Sequence, residues 1–209
     1  MAHDILVGGI AFDIDETLSD TNNFWIDTLI REYGKPDHLT RADIVRLYRY
    51  TERAPFWQIP GALAWMEEAR TSSEMQKRIP LIGNANHIVE RVHAIVPIAA
   101  YITARPERVR EGTLWWLENH SFPQAPLLMK PDEVPFEESA AWKSGLLAEL
   151  YPSVRGIVDD NPGLIEHLPE GYEGTIFLYD HPEVARTGLN IVLVPTWGHV
   201  LPAVLRHLG

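Results

Sequence analysis

The sequence contains no cysteine among its 209 residues. This absence excludes disulfide bonds, thiolate metal ligands and thiol nucleophiles. A chain without disulfides also suits a reducing compartment, and we expect a cytoplasmic location.

Long apolar runs are missing as well. The longest runs, near Leu6 and Ile95, fall far short of the roughly 20 residues that a membrane-spanning helix needs. The first residues, which include Asp4, lack the basic and apolar character of a secretory leader. We therefore expect neither a membrane span nor secretion through such a leader.

Positive charge is scarce, with 18 Lys and Arg residues against 29 Asp and Glu residues and a formal net charge of −11. Nucleic-acid polymers bind to basic surfaces that neutralise their phosphates, so we expect no nucleic-acid polymer as a partner. A small anion held by a metal ion and a lysine is compatible with this charge. The nine histidines show no paired spacing on a helix face that would indicate zinc.

An apolar run that begins at Ile5 ends in three acids, Asp13, Asp15 and Glu16. The run predicts a buried strand, and ligands bind at the carboxyl ends of strands in open α/β sheets. Asp13 and Asp15 are two residues apart, so an extended chain places both on one side. Two such carboxylates repel each other unless a cation or a shared proton relieves the repulsion, and the spacing therefore indicates a metal site. An ordinary loop or helix cap is the alternative interpretation.

Three further segments can be set beside this one. An apolar strand ends in Thr103, a helical stretch carries Lys143, and the strand at 154–158 ends in Asp159 and Asp160. Together with Phe-Asp-Ile-Asp-Glu-Thr-Leu at 12–18, they resemble, in order, the four motifs of the haloacid dehalogenase-like (HAD) phosphohydrolase superfamily. The resemblance spans about residues 5 to 200.

The resemblance implies a role for each of these residues. Asp13 would be the nucleophile that accepts the phosphoryl group, and Asp15 would be the general acid and base. Thr103 and Lys143 would bind the transferred phosphate and stabilise its charge. Superfamily members that attack carbon lack a second acid at this place, so Asp15 favours phosphoryl transfer. Taken alone, Thr103 is an ordinary strand residue and Lys143 an ordinary solvated charge.

The resemblance also implies a Mg²⁺ cofactor. Mg²⁺ prefers oxygen ligands and keeps several waters, so a few carboxylates and the substrate phosphate suffice to bind it. The candidate ligands are Asp13, Asp15, Asp159 and Asp160, and in the superfamily the second acid contributes its backbone carbonyl. Asp159 and Asp160 are alternatives for the direct bond. Without the other motifs, this pair would indicate only the start of a helix.

The apolar periodicities predict an α/β fold, a Rossmann-like three-layer α/β/α sandwich with a parallel sheet. The predicted core domain comprises residues 1–20 and 96–209. Residues 21–95 resemble the helical cap that many superfamily members insert after the first strand. Cap helices are predicted over 22–33, 41–50, from 62 and over 86–96. Core strands are predicted at 98–103, 127–129, 154–158, 175–179 and 191–194, with helices from Pro106, at 142–150, after Asn161-Pro162 and up to 208.

Several side chains are candidates for contact with the substrate. Arg105 and Lys130 are rivals of Lys143 for the phosphate, and His181 follows a predicted strand end. Aromatic residues in the cap are candidates for stacking on a planar ring, and packing within the cap is the alternative. These aromatic residues are Phe24, Trp25, Phe56, Trp57 and Trp65, of which Trp25 and Trp57 are the named substrate contacts.

Three classes of function remain after these exclusions. The first is a Mg²⁺-dependent phosphatase acting on a small phosphomonoester, such as a nucleoside monophosphate. The second is a phosphotransferase or mutase that passes the phosphoryl group to a sugar hydroxyl, and the third is a binding module without catalysis. Parts of the sequence are similar to the deoxyribonucleotidase-like branch of the superfamily. Polynucleotide 3′-phosphatases share the Thr-Ala-Arg-Pro segment, but the acidic charge of this chain argues against that function. No oligomeric state is predicted.

Overall fold

The computed structural model of this chain describes residues 7–48, 50–184 and 188–209. The start of the apolar run at Ile5 lies outside the described residues. The strands are β1 (Gly9–Phe12), β2 (Ile98–Pro106), β3 (Leu127–Lys130), β4 (Val154–Asp159), β5 (Thr175–Tyr179) and β6 (Asn190–Val194). The helices are α1 (Thr21–Tyr33), α2 (Arg41–Leu47), α3 (Pro60–Thr71), α4 (Ser73–Gln76), α5 (Ala85–His93), α6 (Arg110–Asn119), α7 (Ser139–Leu150), α8 (Gly163–His167) and α9 (Trp197–His207). Among the described residues, no helix combines the length and the apolar character needed to cross a membrane.

The six strands form one parallel sheet in the order β3-β2-β1-β4-β5-β6. The chain runs outward from β1 to β3 and then continues on the other side of β1 with β4. The strand order therefore reverses between β1 and β4, and such a switch point is where open α/β sheets bind ligands. Asp13 follows β1 and Asp159 ends β4, so both predicted acids lie at the switch point.

Helices cover both faces of the sheet, as all-parallel sheets require. Ile10 and Phe12 of β1 pack with residues of α5, α6 and α9 on one face. Ala11 packs with residues of α7 and α8 on the other. This alternation follows from the two-residue period of a strand. The predicted Rossmann-like three-layer sandwich is thereby confirmed.

Helices α1, α2 and α3 have a hydrophobic cluster of their own. Trp25, Leu29, Ile44, Trp57 and Met66 are buried in it, and it includes no strand residue. Since these helices lie between β1 and β2 in the chain, they follow the carboxyl end of β1. The apolar stripes predicted for this segment therefore pack against one another beside the switch point.

Helix α5 packs on the sheet. Its buried residues Ile88, Val89 and Val92 belong to the same cluster as Ile10 of β1. The division into a core (1–20 and 96–209) and a cap (21–95) stays a prediction, and these contacts place α5 with the core layers. We use the name cap only for the segment from α1 to α4, and the name cap cluster for its hydrophobic cluster.

Several element boundaries differ from the prediction. Helix α5 ends at His93 instead of residue 96, and α7 begins at Ser139 instead of residue 142. Helix α2 ends at Leu47 instead of near residue 50, and a 3-10 turn at Thr51–Arg53 follows. Pro106 does not lie in the first turn of a helix, because it remains extended, with ψ of 150°, and pairs with Lys130 of β3. It is the N-cap of a 3-10 turn at Glu107–Val109 that leads into α6. Strand β2 therefore runs three residues further than predicted, and α6 begins only at Arg110.

Candidate active site

Asp13 lies where β1 ends. Its backbone N–H donates to the carbonyl of Val158 at 2.9 Å, so the chain stays paired with β4 up to this residue. Asp13 and Asp159 are 4% and 0% exposed. Lys143, on the buried side of α7, donates to Asp13 Oδ1 at 2.6 Å and to Asp159 Oδ2 at 2.8 Å. Three residues predicted from separate motifs are thus in direct contact.

The charges of this cluster do not balance. Burial raises the pKa of Asp13, and the carboxylates of Asp159 and Asp160 raise it further, against the lowering effect of Lys143. Burial lowers the pKa of Lys143, but the two carboxylates that it contacts outweigh burial and raise this pKa. Three carboxylates therefore lie beside one ammonium that contacts two of them, and with all three ionised the cluster has an excess of negative charge.

This excess charge suits a divalent cation. Asp13, Asp159 and Asp160 each offer a carboxylate oxygen, and these oxygens lie within 4.8 Å of one another. A set of oxygen ligands with excess negative charge fits Mg²⁺. The side chain of Asp15 is not part of this group, and the contribution predicted for Asp15 is its backbone carbonyl.

Arg105 holds the side chain of Asp15. Its Nε donates to both carboxylate oxygens, at 3.1 and 3.0 Å, and its Nη2 donates to Oδ1 at 2.8 Å. The hydroxyls of Thr21 and Ser19 donate to the same Oδ1 at 2.5 and 3.2 Å. Burial raises the pKa of Asp15, but the guanidinium and these hydroxyls outweigh burial and lower it. Arg105, predicted as a phosphate ligand, pairs with Asp15 and also borders the cavity described below, and its contact with phosphate stays a prediction.

Glu16 occupies a backbone conformation that favours glycine. Its φ is 59°, in the left-handed region. Its carboxylate accepts the backbone N–H of Asn22 in the first turn of α1 at 2.5 Å. Burial and the nearby carboxylates of Asp15, Asp20 and Asp13 raise the pKa of Glu16 to about 8. The turn that carries the two acids is thereby tied to the first cap helix.

Thr17 links the two acid motifs. Its hydroxyl donates to Asp13 Oδ2 at 3.4 Å and accepts the backbone N–H of Asp160 at 3.2 Å. Its carbonyl accepts the indole N–H of Trp197 at 3.1 Å. Our sequence analysis gave Thr17 no separate role, although the D-x-D-x-T spacing was the signal that marks it.

Three predicted site residues do not border the cavity described below, and the fully buried Asp159 is one of them. Thr103 is fully buried, and its hydroxyl accepts the backbone N–H of Arg105 at 3.2 Å. Trp57 is fully buried in the cap cluster, where its indole N–H donates to the carbonyl of Gly34 at 2.9 Å. Lys130, the other rival for the phosphate, donates to backbone carbonyls of its own loop.

A cavity of about 900 Å³ lies at the switch point, bordered by both the core and the cap helices. This volume is near the upper end of the roughly 300–1,000 Å³ found for small-molecule sites. The core lining includes Asp13, Asp15, Lys143, Asp160 and His181. The rest of the lining includes Trp25, Tyr50, Arg53, Arg70 and Phe136. Asp13 therefore lies in a space much larger than a phosphate group.

Three residues of the lining, Arg53, Arg70 and Phe136, were not predicted from the sequence. Phe136 follows β3, and the rule that strand carboxyl ends border the site is a signal that points to its loop. No comparable signal marks the two arginines, because their position depends on how the cap packs against the core. Arg70 has its guanidinium carbon 5.7 Å from the centre of the Trp25 ring and 5.0 Å from that of Phe136.

Most of the predicted stacking residues pack within the cap. Phe24, Phe56 and Trp65 are partly buried against the cap cluster. Trp25 borders the cavity, but it is only 8% exposed, and its ring contacts Arg70 and, edge-on at 5.8 Å, Trp65. The alternative interpretation, packing, thus describes four of the five aromatic residues.

Solved structures share this architecture. A HAD-superfamily hydrolase of subfamily IA, variant 1, from Geobacter sulfurreducens is similar with a TM-score of 0.57 and 16% sequence identity, over 100% of this chain and 99% of that chain. A HAD-superfamily hydrolase from Ehrlichia chaffeensis is similar with a TM-score of 0.53 and 14% identity, over 98% and 99% of the two chains. No protein-family model and no curated protein matches this chain. The likeness shows the fold.

Proposed function

We propose that this chain, which has the fold of the HAD-superfamily hydrolases, is a Mg²⁺-dependent phosphatase that hydrolyses a small phosphomonoester through an aspartyl-phosphate. The observation that supports the proposal most is the contrast between its two acids. Asp13 contacts a lysine beside two further acids, and Asp15 is held by an arginine. Two carboxylates in such different surroundings can take different roles.

Asp13 is the proposed nucleophile. Lys143 binds Oδ1, so Oδ2, which receives only the long hydrogen bond from Thr17, is the oxygen that attacks phosphorus. A bond forms between this oxygen and phosphorus as the bond to the leaving oxygen breaks. Water then attacks the phosphorus of the aspartyl-phosphate and releases phosphate and the Asp13 carboxylate. Lys143 holds Asp13 in position and supplies positive charge beside the phosphoryl oxygens.

Asp15 is the proposed general acid and base. Its lowered pKa favours the carboxylate, which is the form that takes a proton from the attacking water. Protonation of the leaving oxygen requires the acid form, and the negative charge of a bound phosphate raises the pKa of Asp15 toward it. The acid role is therefore needed most by substrates whose leaving groups are poor.

Asp13, Asp159 and Asp160 are the proposed metal-holding residues, with Asp15 contributing through its backbone as the resemblance implies. When bound, Mg²⁺ neutralises charge on the cluster and on a phosphoryl oxygen. A nucleoside monophosphate is a candidate substrate because Trp25 borders the cavity. Membership of the deoxyribonucleotidase-like branch and a cytoplasmic location stay predictions from the sequence.

The test measures phosphate release from an aryl phosphate with Mg²⁺ and with a chelator. We expect activity only with Mg²⁺, and none in Asp13→Asn. Asp27→Asn is the matched control, since Asp27 is an exposed acid of α1 that pairs with Arg41 outside the cavity. Turnover by Asp13→Asn, or full activity in chelator, would contradict the mechanism. Transfer of phosphate to an added sugar instead of water would favour the phosphotransferase, and binding without turnover the non-catalytic module.

A further inference from the structure

We propose, as a step that rests on the phosphatase function, that Arg53 binds a carboxylate on the substrate, away from the phosphate. The preferred substrates are then small phosphorylated carboxylic acids. Arg53 lies in the 3-10 turn at Thr51–Arg53, between α2 and α3, and borders the same cavity as Asp13. A substrate whose phosphate lies at Asp13 therefore occupies the same cavity as Arg53.

Arg53 differs from the other cations that line the cavity. Lys143 contacts two carboxylates, and Arg105 is paired with Asp15. Arg70 is paired with Glu52 and with Glu67. Within the described ranges, Arg53 has no carboxylate within ion-pair distance.

The guanidinium of Arg53 lies over the ring of Tyr50. The guanidinium carbon of Arg53 lies 4.9 Å from the centre of the Tyr50 ring, which also borders the cavity. Stacking on a ring covers a face of the guanidinium and leaves its N–H groups at the edge. Those N–H groups form the planar fork that binds a carboxylate through two parallel hydrogen bonds.

The remaining charges favour a group with a single negative charge. Glu16, Glu137 and Asp180 also border the cavity, and they repel any second anion that has no cation beside it. One guanidinium balances one carboxylate, whereas a second phosphate brings up to two charges into an acidic space. The chain as a whole, with a net charge of −11, adds to that repulsion.

The experiment compares 3-phosphoglycerate with glycerol 3-phosphate in the full-length protein with Mg²⁺. The two compounds differ by a carboxylate in place of a hydroxymethyl group. We expect a higher kcat/KM for 3-phosphoglycerate, and we expect Arg53→Gln to lower the ratio of the two values by roughly 10- to 100-fold, the scale of a hydrogen bond to a charged group. Arg53→Lys should restore part of the ratio. Arg46→Gln, which removes an exposed arginine of α2 paired with Asp43, should leave the ratio unchanged.

The outcomes separate this proposal from the phosphatase function. A wild-type protein that does not prefer 3-phosphoglycerate, or an Arg53→Gln variant that keeps the wild-type ratio, would overturn the carboxylate site. So would a nucleoside monophosphate that is a better substrate than both and is unaffected by Arg53→Gln. If neither compound is hydrolysed, the phosphatase function fails. Calorimetric measurement of the binding of both compounds to Asp13→Asn then decides whether Arg53 binds a carboxylate. Tighter binding of 3-phosphoglycerate that is lost with Arg53→Gln supports the site, and equal binding of both compounds overturns it.

Discussion

The ion pair between Arg105 and Asp15 predicts a large coupling between two residues that are 90 positions apart in the chain. The perturbation is Arg105→Met, which keeps an unbranched apolar side chain and removes the charge, combined with Asp15→Asn. Each single variant leaves one charged group without its partner, whereas the double variant removes both charges. The free energy of unfolding of the double variant should therefore be higher than the two single effects predict.

The exposure of the pair sets the size of the coupling. The side chains are 3% exposed for Arg105 and 31% exposed for Asp15. Breaking a fully buried pair costs about 3–5 kcal/mol, and an exposed pair contributes roughly 0–1 kcal/mol. Because water reaches one partner, we expect a coupling of about 2 kcal/mol at pH 7. Arg105→Met alone should lower the free energy of unfolding by more than about 2 kcal/mol, because Arg105 also donates to Ser19 and lies over the Trp116 ring.

Urea denaturation followed by tryptophan fluorescence measures the four free energies of unfolding. The pH dependence has a definite sign, because the folded protein lowers the pKa of Asp15 below its ordinary value of 3.8. The stabilisation is therefore complete above pH 3.8 and is lost as the pH falls through the lower, folded pKa. Measurements at pH 7 and at progressively lower pH values should show a coupling that declines only in the acid range.

A coupling below about 0.5 kcal/mol at pH 7, the usual error of additivity for independent sites, would refute the ion pair. A coupling of the expected size that does not decline in acid would refute its electrostatic origin. Activity supplies a separate check. Arg105→Met should raise the pKa of Asp15 and therefore shift the acid limb of the pH–rate profile toward higher pH.

Two further predictions concern the leaving group and the packing of the cap. Asp15→Asn should lower kcat for alkyl phosphates by about two orders of magnitude or more and lower it less for aryl phosphates; equal losses for both would show that Asp15 is not the acid. Gly112→Ala should destabilise the protein by about 1–3 kcal/mol in thermal denaturation, because a Cβ there would lie 2.3 Å from the Ser73 carbonyl oxygen. Gly145→Ala is the control, since its Cβ would meet nothing within 4 Å, and an equal loss in both variants would contradict this packing.

Much of the fold follows from local patterns in the sequence. Apolar runs and the two-residue period specified the strands, and Phe12 and Asp13 mark the end of β1 in the sequence itself. The predicted ends of elements were wrong where pairing between distant segments determines the end of a strand. Pro106 remains in β2 because it pairs with Lys130, and neither residue carries a local signal of the other.

The sequence by itself determined which acids and which lysine meet. The four-motif resemblance predicted that Asp13, Lys143 and Asp159 meet, whereas the adjacency of β1 and β4, which brings the two acids together, is known only from the structure. Only the tertiary structure decided what each charge contacts. Arg105 reaches Asp15 through the extended end of β2, and Arg53 borders the cavity through the packing of the cap. Such contacts depend on side-chain positions across the space between separate elements, and hydrophobic periodicity records only which face of each element is buried.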